Sequence, residues 1–227
     1  NFIDNIDNKF LVLTNYQAPN NKLILIDLKN PSKENWKTII PESKNVIQNV
    51  SRIGGKLIVT YLQDASSKVS VFTEDGNYLY DIKLPTLGTV FGFSGKNKDK
   101  ETFYTFTSFT YPPIIYRYDV QNNKSTLFKK SNIKFNMEDY ETKQIFYESK
   151  DGTKIPLFIV HKKGLKLNGN NPTLLYAYGG FNISQQPSFS IPRIPLLENN
   201  FVFALACLRG GNEYGEEWHK AGMLANK

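Results

Sequence analysis

Short apolar segments alternate with polar turns through about the first 130 residues of the chain. These segments have the length of strands, and almost none shows the 3.6-residue spacing of an amphipathic helix. The turns between them contain Asn, Asp, Gly, Pro and Ser, which are the residues that tight hairpins need. The pattern predicts an all-β region with strands at 11–13, 23–26, 36–40, 57–61, 69–72, 78–84, 103–107, 114–118 and 125–128.

The order of these strands repeats at a fixed interval. Leu11, Leu57 and Phe103 begin three successive triplets of strands, and each lies 46 residues after the one before. Additional short strands at 46–53 and 89–93 bring the count to about four strands per repeat. Four strands in a period of this length are typical of propeller blades, and a sandwich with matching hairpins is the alternative. Because a few blades cannot close a ring, we expect further blades outside this chain.

The pattern changes near residues 131–139. Beyond this point two longer strands are predicted at 143–149 and 154–162, joined by Asp151 and Gly152. An Asp-Gly dipeptide between two strands favours a tight hairpin.

Two continuous apolar runs follow, at 173–178 and 201–208, and each ends in a Gly-Gly pair. Runs without alternation are typical of central strands that helices bury on both faces. Residues 213–227 carry acidic residues first and good helix formers later, so a helix is predicted there. These features predict the beginning of an α/β domain.

Composition narrows the possible classes of function. Hydrophobic residues make up 40% of the 227 residues, which supports a packed core, but no apolar run is long enough to span a bilayer. The net charge is +7, yet the cations are mostly Lys spread through polar loops, and this disfavours nucleic-acid binding. The single cysteine, Cys207, lies in an apolar run, so we expect a buried thiol and a cytoplasmic location. We predict no metal site and no cofactor.

The candidate chemistry lies where the two apolar runs end. In open α/β sheets, ligands bind beyond the carboxyl ends of the strands. Tyr178 stands directly before Gly179 and Gly180, and Gly210 and Gly211 follow the second run. A Gly pair lets the backbone approach a ligand closely, and a tyrosine supplies a hydroxyl donor, so an oxyanion site is one interpretation. A plain strand-to-loop turn with packed aromatic rings is the other.

The same segments carry a resemblance to a known family. The sequences YAYGGFNIS at 176–184 and RGGNEYG at 209–215, with Trp218, His219 and the LANK ending at 224–227, resemble those of prolyl oligopeptidases. The likeness covers nearly the whole chain and is densest from about residue 102 onward. One departure is an Asn at 212, where the family usually has a third Gly; Asn tolerates a left-handed backbone, so little consequence is expected.

The resemblance implies a mixed fold, in which a partial β-propeller is followed by the first part of an α/β-hydrolase domain. Residues 1–132 would be the C-terminal blades, and residues 133–227 the beginning of the peptidase domain. The family's nucleophilic serine lies on a Gly-x-Ser-x-Gly turn, followed in sequence by Asp and His. Residues 92–96 fail that pattern, and His161 and His219 match positions outside the triad. We therefore expect the nucleophile to lie beyond Lys227, and this chain to be inactive alone.

The resemblance also implies roles for two residues. Tyr178 matches the tyrosine that donates to the oxyanion, and Phe181 matches an aromatic residue lining the proline pocket. Tyr176 shares the strand face of Tyr178, but it lies deeper, so its hydroxyl is expected to be committed to the fold. The implied reaction is serine-type hydrolysis of short proline-containing peptides by an enzyme that is monomeric at full length.

A second function from a different class stays open. Blades commonly bind partner proteins, so the chain would also suit a non-catalytic, propeller-based scaffold that binds peptides. An oxyanion donor at Tyr178 has no purpose in such a scaffold, and the segment 178–181 therefore favours the peptidase.

Overall fold

The first part of the chain folds into three separate four-stranded antiparallel sheets in the computed structural model, which describes residues 1–226. The first sheet contains β1 (Phe2–Ile6), β2 (Lys9–Thr14), β3 (Lys22–Asp27) and β4 (Lys37–Ile40). The second contains β5 (Val46–Ile53), β6 (Lys56–Gln63), β7 (Ser66–Thr73) and β8 (Tyr78–Asp81). The third contains β9 (Thr89–Gly92), β10 (Glu101–Thr107), β11 (Ile114–Asp119) and β12 (Lys124–Lys130).

The 46-residue repeat places equivalent strands in successive sheets. Leu11, Leu57 and Phe103 lie in β2, β6 and β10, which are the second strands of their sheets. Leu11 and Leu57 share a buried cluster between the first two sheets, and Ile58 and Tyr104 share another between the second and third. Sheets stacked face to face in this order are propeller blades, so the prediction of a partial β-propeller is confirmed.

Each blade begins with a strand that the triplets do not include. The predicted strands at 46–53 and 89–93 open the second and third blades as β5 and β9. The sequence pattern does not predict β1, whose residues FIDNI mix apolar side chains with Asp and Asn. Pairing with β2 decides its conformation, since Asn5 and Ile6 lie opposite Phe10 and Lys9.

A fourth sheet has mixed strand directions. It contains β13 (Tyr140–Glu148), β14 (Lys154–Lys162), β15 (Thr173–Tyr178) and β16 (Val202–Cys207), in the order β13–β14–β16–β15. The first two strands form the predicted hairpin, in which Gly152 adopts a φ of +80°. The last two strands run parallel to each other, while β16 is antiparallel to β14.

Helices are short throughout the described residues. The two α-helices are α1 (Ile194–Glu198) and α2 (Gly215–Lys220), and 3-10 turns lie at Lys33–Asn35, Met137–Asp139, Ile191–Arg193 and Leu224–Asn226. The helix predicted for 213–227 is therefore wrong in extent. The observed helix, α2, ends before Gly222. An ideal β-carbon on Gly222 would stand 2.3 Å from the carbonyl oxygen of Arg209, so the backbone at 222 passes close to another segment, as glycine permits in a turn. No helix among residues 1–226 is long and apolar enough to cross a membrane.

The two apolar runs have different environments. All six residues of β16 are buried, as expected of a central strand. By contrast, β15 is an edge strand, and Leu174, Leu175 and Tyr176 on it are about half exposed. Within residues 1–226 only β16 pairs with β15, so the described residues bury β16 fully and leave β15 partly uncovered.

One face of the mixed sheet packs against the blades. Phe109, which follows β10, lies in one buried cluster with Phe158 of β14 and Phe203 of β16. Its ring centroid is 5.3 Å from that of Phe158 and 5.8 Å from that of Phe203. The guanidinium of Arg193 lies over two of these rings, 5.2 Å from Phe109 and 4.0 Å from Phe203. Burial removes water from the guanidinium and lowers the pKa of Arg193 to about 10. The cation–π attraction of the two rings partly replaces this lost hydration.

A matched pair of glycine substitutions tests how tightly the blades pack. Gly76 has a φ of +88°, and its ideal β-carbon would stand 2.0 Å from the carbonyl oxygen of Ile39 in the first blade, whereas Gly152 has a similar φ and open space. Alanine at either position costs about 1–2 kcal/mol for the left-handed backbone. Only Gly76→Ala must also displace the neighbouring blade, which adds about 1–3 kcal/mol. We expect urea unfolding to show this extra loss for Gly76→Ala, and equal losses would contradict the blade contact.

Candidate functional site

Two strand ends meet at one edge of the mixed sheet. Because β15 and β16 are parallel, their carboxyl ends lie side by side, and Tyr178 is directly opposite Cys207. The amide of Leu208 donates a hydrogen bond to the carbonyl oxygen of Tyr178 at 3.2 Å, which extends the pairing by one residue. The two predicted ligand-binding ends are thus brought together, as parallel strands require.

The Gly-Gly pairs allow the loops after these strands to touch. An ideal β-carbon on Gly179 would stand 2.5 Å from the carbonyl oxygen of Arg209, and one on Gly210 would stand 2.5 Å from the carbonyl oxygen of Gly179. Any side chain at either position would separate the loops. Gly179 and Gly210 are therefore needed for the contact between the two loops, and their approach to a ligand stays a prediction.

Tyr178 lies on the face of the sheet that meets the blades. Its opposite residue, Cys207, belongs to the buried cluster that contains Phe109 of the propeller, and residues opposite each other in paired strands share a face. The side chain of Tyr178 is partly exposed, and none of residues 1–226 hydrogen-bonds to its hydroxyl. That hydroxyl lies 4.0 Å from the ideal β-carbon position of Gly180, over the strand-end loop. A donor in this position is available to a bound group.

Tyr176 differs from its predicted role. Its side chain is 49% exposed, and within the described chain its hydroxyl has no hydrogen-bond partner. Together with Leu174, Pro192 and Phe203, it lines an open surface pocket of about 350 Å³. Among residues 1–226 the expected partner of this hydroxyl is not found, and the ring is partly uncovered.

Phe181 has a left-handed backbone conformation and a largely exposed ring. Its φ is +53°, and that of Asn182 is +60°, so two successive residues lie in the left-handed region. This region is costly for a bulky residue, and such strain concentrates at functional sites. The ring of Phe181 is 86% exposed. The amide of Asn182 donates to the carbonyl oxygen of Gly210 at 3.0 Å, which ties this strained turn to the neighbouring loop.

Sequence reasoning missed Glu213, which lies beneath the two loops. Its side chain is completely buried, and its Oε1 accepts a hydrogen bond from the amide of Gln185 at 2.6 Å. Burial raises the pKa of Glu213 to about 6. The thiol of Cys207 donates to the carbonyl oxygen of the same Gln185 at 3.5 Å, and burial raises the pKa of that thiol well above its usual value. The acidic residue inside RGGNEYG was the signal that could have identified this position.

A hairpin tip from the second blade also reaches the site. The hydroxyl of Tyr214 donates to Oδ1 of Asp64 at 3.0 Å, and Nε2 of Gln144 donates to the carbonyl oxygen of Asp64. Asp64 and Ala65 form the turn between β6 and β7, both with positive φ, and Ala65 is fully buried against the mixed sheet. The propeller is therefore attached to the residue that follows Glu213.

The two histidines do not form a catalytic set with the serines described. Nδ1 of His161 lies 2.9 Å from the carbonyl oxygen of Lys162, and its Nε2 lies 3.6 Å from a carboxylate oxygen of Glu141. Nδ1 of His219 lies 2.7 Å from the carbonyl oxygen of Gly210. Across residues 1–226, no group of three or more His, Cys, Asp or Glu side chains is arranged to hold a metal ion.

The fold of this chain is similar to that of solved prolyl endopeptidases and prolyl oligopeptidases. A prolyl endopeptidase structure matches with a TM-score of 0.93 and 43% identity, covering 98% of this chain and 33% of that one. Prolyl oligopeptidase B from Galerina marginata, bound to a 25-residue macrocyclization substrate, matches with a TM-score of 0.89 and 32% identity. That match covers 98% of this chain and 31% of the other.

The amino-acid sequence is also similar to those of prolyl endopeptidases. The prolyl endopeptidase of Elizabethkingia miricola is 41% identical over 225 residues, which are 99% of this chain and 32% of that protein. The prolyl endopeptidase of Dictyostelium discoideum is 42% identical, over 96% of this chain and 30% of that protein. This chain thus spans about a third of the length of these relatives. Residues 1–131 match the family model described as prolyl oligopeptidase, N-terminal beta-propeller domain. The chain therefore belongs to the prolyl oligopeptidase family.

Proposed function

We propose that this chain is part of a serine-type oligopeptidase that hydrolyses short peptides after proline. In this proposal, residues 133–227 are the first part of an α/β-hydrolase peptidase domain, and residues 1–132 are C-terminal blades of the propeller. The observation that carries the proposal is the hydroxyl of Tyr178, which has no hydrogen-bond partner among residues 1–226 and lies at the end of a parallel strand, on the face that meets the blades. The relatives named prolyl endopeptidase, and the related oligopeptidase solved with a peptide, support it.

Tyr178 would act on the oxyanion. When a serine attacks the carbonyl carbon after proline, negative charge develops on the carbonyl oxygen, and donors placed in advance stabilise it. The hydroxyl of Tyr178 has no competing partner within the described residues, so it need not give up a hydrogen bond of the fold. The serine, histidine and aspartate would come from outside this chain.

Phe181 would form a wall of the proline pocket. An exposed aromatic ring, 86% accessible and held by a strained turn, is a costly arrangement unless the ring contacts a ligand. A flat apolar ring matches the pyrrolidine ring of proline, and a close fit disfavours longer side chains.

Other parts of the proposal concern the whole protein. The outer faces of the first and third blades expose Phe2 and Phe128, each about 60% accessible, and further blades of a longer protein would cover them. A cytoplasmic, monomeric enzyme without nucleic-acid or membrane partners stays the prediction from sequence.

The proposal predicts that the 227-residue chain does not cleave a proline-containing reporter peptide. The reason is that an oxyanion donor accelerates nothing without an attacking group. The measurement is release of the reporter by the purified chain, with the Ser94→Ala variant as the control. Turnover that Ser94→Ala abolishes would show that the nucleophile lies in the blade region.

In the longer enzyme, Tyr178→Phe removes the donor and keeps the ring. Loss of one such donor costs on the order of 3 kcal/mol, or a hundredfold or more in turnover. The loss should appear in kcat, because the hydrogen bond strengthens as charge develops. Tyr176→Phe is the matched control on the same strand face. The assignment is wrong if Tyr178→Phe retains turnover while Tyr176→Phe loses it.

Phe181→Ala should separate binding from stability. The ring is mostly exposed, so its removal should change the unfolding free energy by about 0.5 kcal/mol or less. Loss of the pocket wall should raise KM for proline substrates about tenfold, as expected for about 1–3 kcal/mol of apolar contact. Thermal unfolding of the 227-residue chain measures the change in stability, and steady-state kinetics of the longer enzyme measure the change in KM. A large drop in Tm with unchanged KM would identify Phe181 as a structural residue instead.

A further inference from the structure

The peptide unit of Gln185 is held by side chains on both of its polar sides. Its amide donates to Oε1 of Glu213 at 2.6 Å, and its carbonyl oxygen accepts from the thiol of Cys207 at 3.5 Å. Gln185 lies in the loop that follows Tyr178 and contains Phe181, whereas Cys207 is the last residue of β16 and Glu213 lies in the loop after it. A strand end and the loop after it therefore hold a single peptide of the neighbouring loop.

The side chain of Glu213 lies in a space that is open only because residue 211 is glycine. An ideal β-carbon on Gly211 would stand 2.2 Å from Oε2 of Glu213, so only glycine at 211 leaves room for the carboxylate. Oε2 is buried and, among residues 1–226, has no hydrogen-bond partner. An unpaired buried carboxylate oxygen is costly, so its contribution to the fold alone does not account for this side chain.

Glu213 is also fixed relative to the propeller. The next residue, Tyr214, donates to Asp64 at the tip of the second blade's hairpin. The amide of Glu216 donates to the carbonyl oxygen of Pro19, in the first blade, at 3.2 Å. Movement of the blades relative to the sheet would therefore act on the residues either side of Glu213.

We propose that Glu213 is a positioning residue: its carboxylate holds the Gln185 peptide, couples the position of the propeller to that peptide, and so fixes the loop that follows Tyr178 and contains Phe181. The catalytic purpose of that loop rests on the proposed function, whereas the contacts themselves do not.

The charge of Glu213 gives this role a measurable signature. Burial raises its pKa from 4.5 to about 6, although the hydrogen bond from the amide of Gln185 opposes the shift. The titratable groups that face it are the thiol of Cys207 and the phenol of Tyr214, with Asp64 beyond that phenol. The folded chain binds this proton more tightly than the unfolded chain does. Its contribution to stability is therefore present below about pH 4.5 and is lost as pH rises through about 6.

Amide exchange at Gln185 tests the contact directly in the 227-residue chain. Glu213→Ala removes the acceptor, and we expect the Gln185 amide to exchange about tenfold faster or more. Glu213→Gln keeps an acceptor oxygen and should leave the rate within about threefold of the native value. The amide of Asn182, whose acceptor is the carbonyl oxygen of Gly210, is the internal reference. An unchanged Gln185 rate in Glu213→Ala would overturn the proposal.

The pH dependence of melting tests the charge without requiring the alanine variant to fold. The difference in Tm between Glu213→Gln and the native chain should grow by about 2–4 °C or more from pH 5 to pH 8, since one pKa unit is a tenfold change in the folding equilibrium. Glu217→Gln, at an exposed residue on the same segment, is the control variant. A constant difference for Glu213→Gln would contradict a buried, titrating carboxylate.

Kinetics in the longer enzyme separate this proposal from the proposed function. Displacement of the loop should lower kcat/KM about tenfold to a hundredfold in Glu213→Ala, with rescue by Glu213→Gln. If Gln185 exchange responds as expected but Tyr178→Phe leaves turnover unchanged, the positioning contact stands and the oxyanion role fails. If Tyr178→Phe reduces turnover while both Glu213 variants match the native enzyme, Glu213 has no positioning role.

Discussion

The packing of Phe109 against Phe158 and Phe203 determines which face of the mixed sheet meets the propeller. The ring of Phe109 comes from the third blade and is almost fully buried among residues of β14 and β16. Because side chains alternate between the faces of a strand, burial of Phe203 on this side also turns Cys207 toward the blades, and Tyr178 lies beside it. One aromatic contact thus decides that the strand-end hydroxyl lies between the two parts of the chain.

Several groups around this contact are costly to the fold. Arg193 lies half-buried over two rings, Glu213 is buried with one oxygen that has no hydrogen-bond partner among residues 1–226, and Phe181 lies exposed on a left-handed turn. Buried charges and strained residues persist where the surroundings over-determine them, and they concentrate at sites of binding or catalysis. Glu213 and Phe181 both lie in the loops that follow β16 and β15, which agrees with a functional site at these strand ends.

Much of the architecture follows from the local pattern. The 46-residue spacing predicted the blades because each blade is a meander whose strands pair with neighbours in sequence, and the Asp151-Gly152 turn predicted the hairpin of β13 and β14. The site was predicted in part. Tyr178 and the glycines could be located from the strand ends, but the partners of those glycines could not, since Gly179 and Gly210 are distant in sequence and meet only when β15 and β16 pair.

Most of the strands, their repeat, the two strand ends and the family resemblance follow from the amino-acid sequence alone, because these depend on side-chain periodicity and short motifs. The sequence alone does not show that Tyr178 and Cys207 lie on the face toward the blades or that Glu213 accepts from the amide of Gln185. Each of these depends on which element packs next to which, and that choice is made by contacts between residues far apart along the chain. Burial of a carboxylate such as Glu213 cannot be read from a polar motif, because the same motif would suit an exposed loop until the glycines around it close the space.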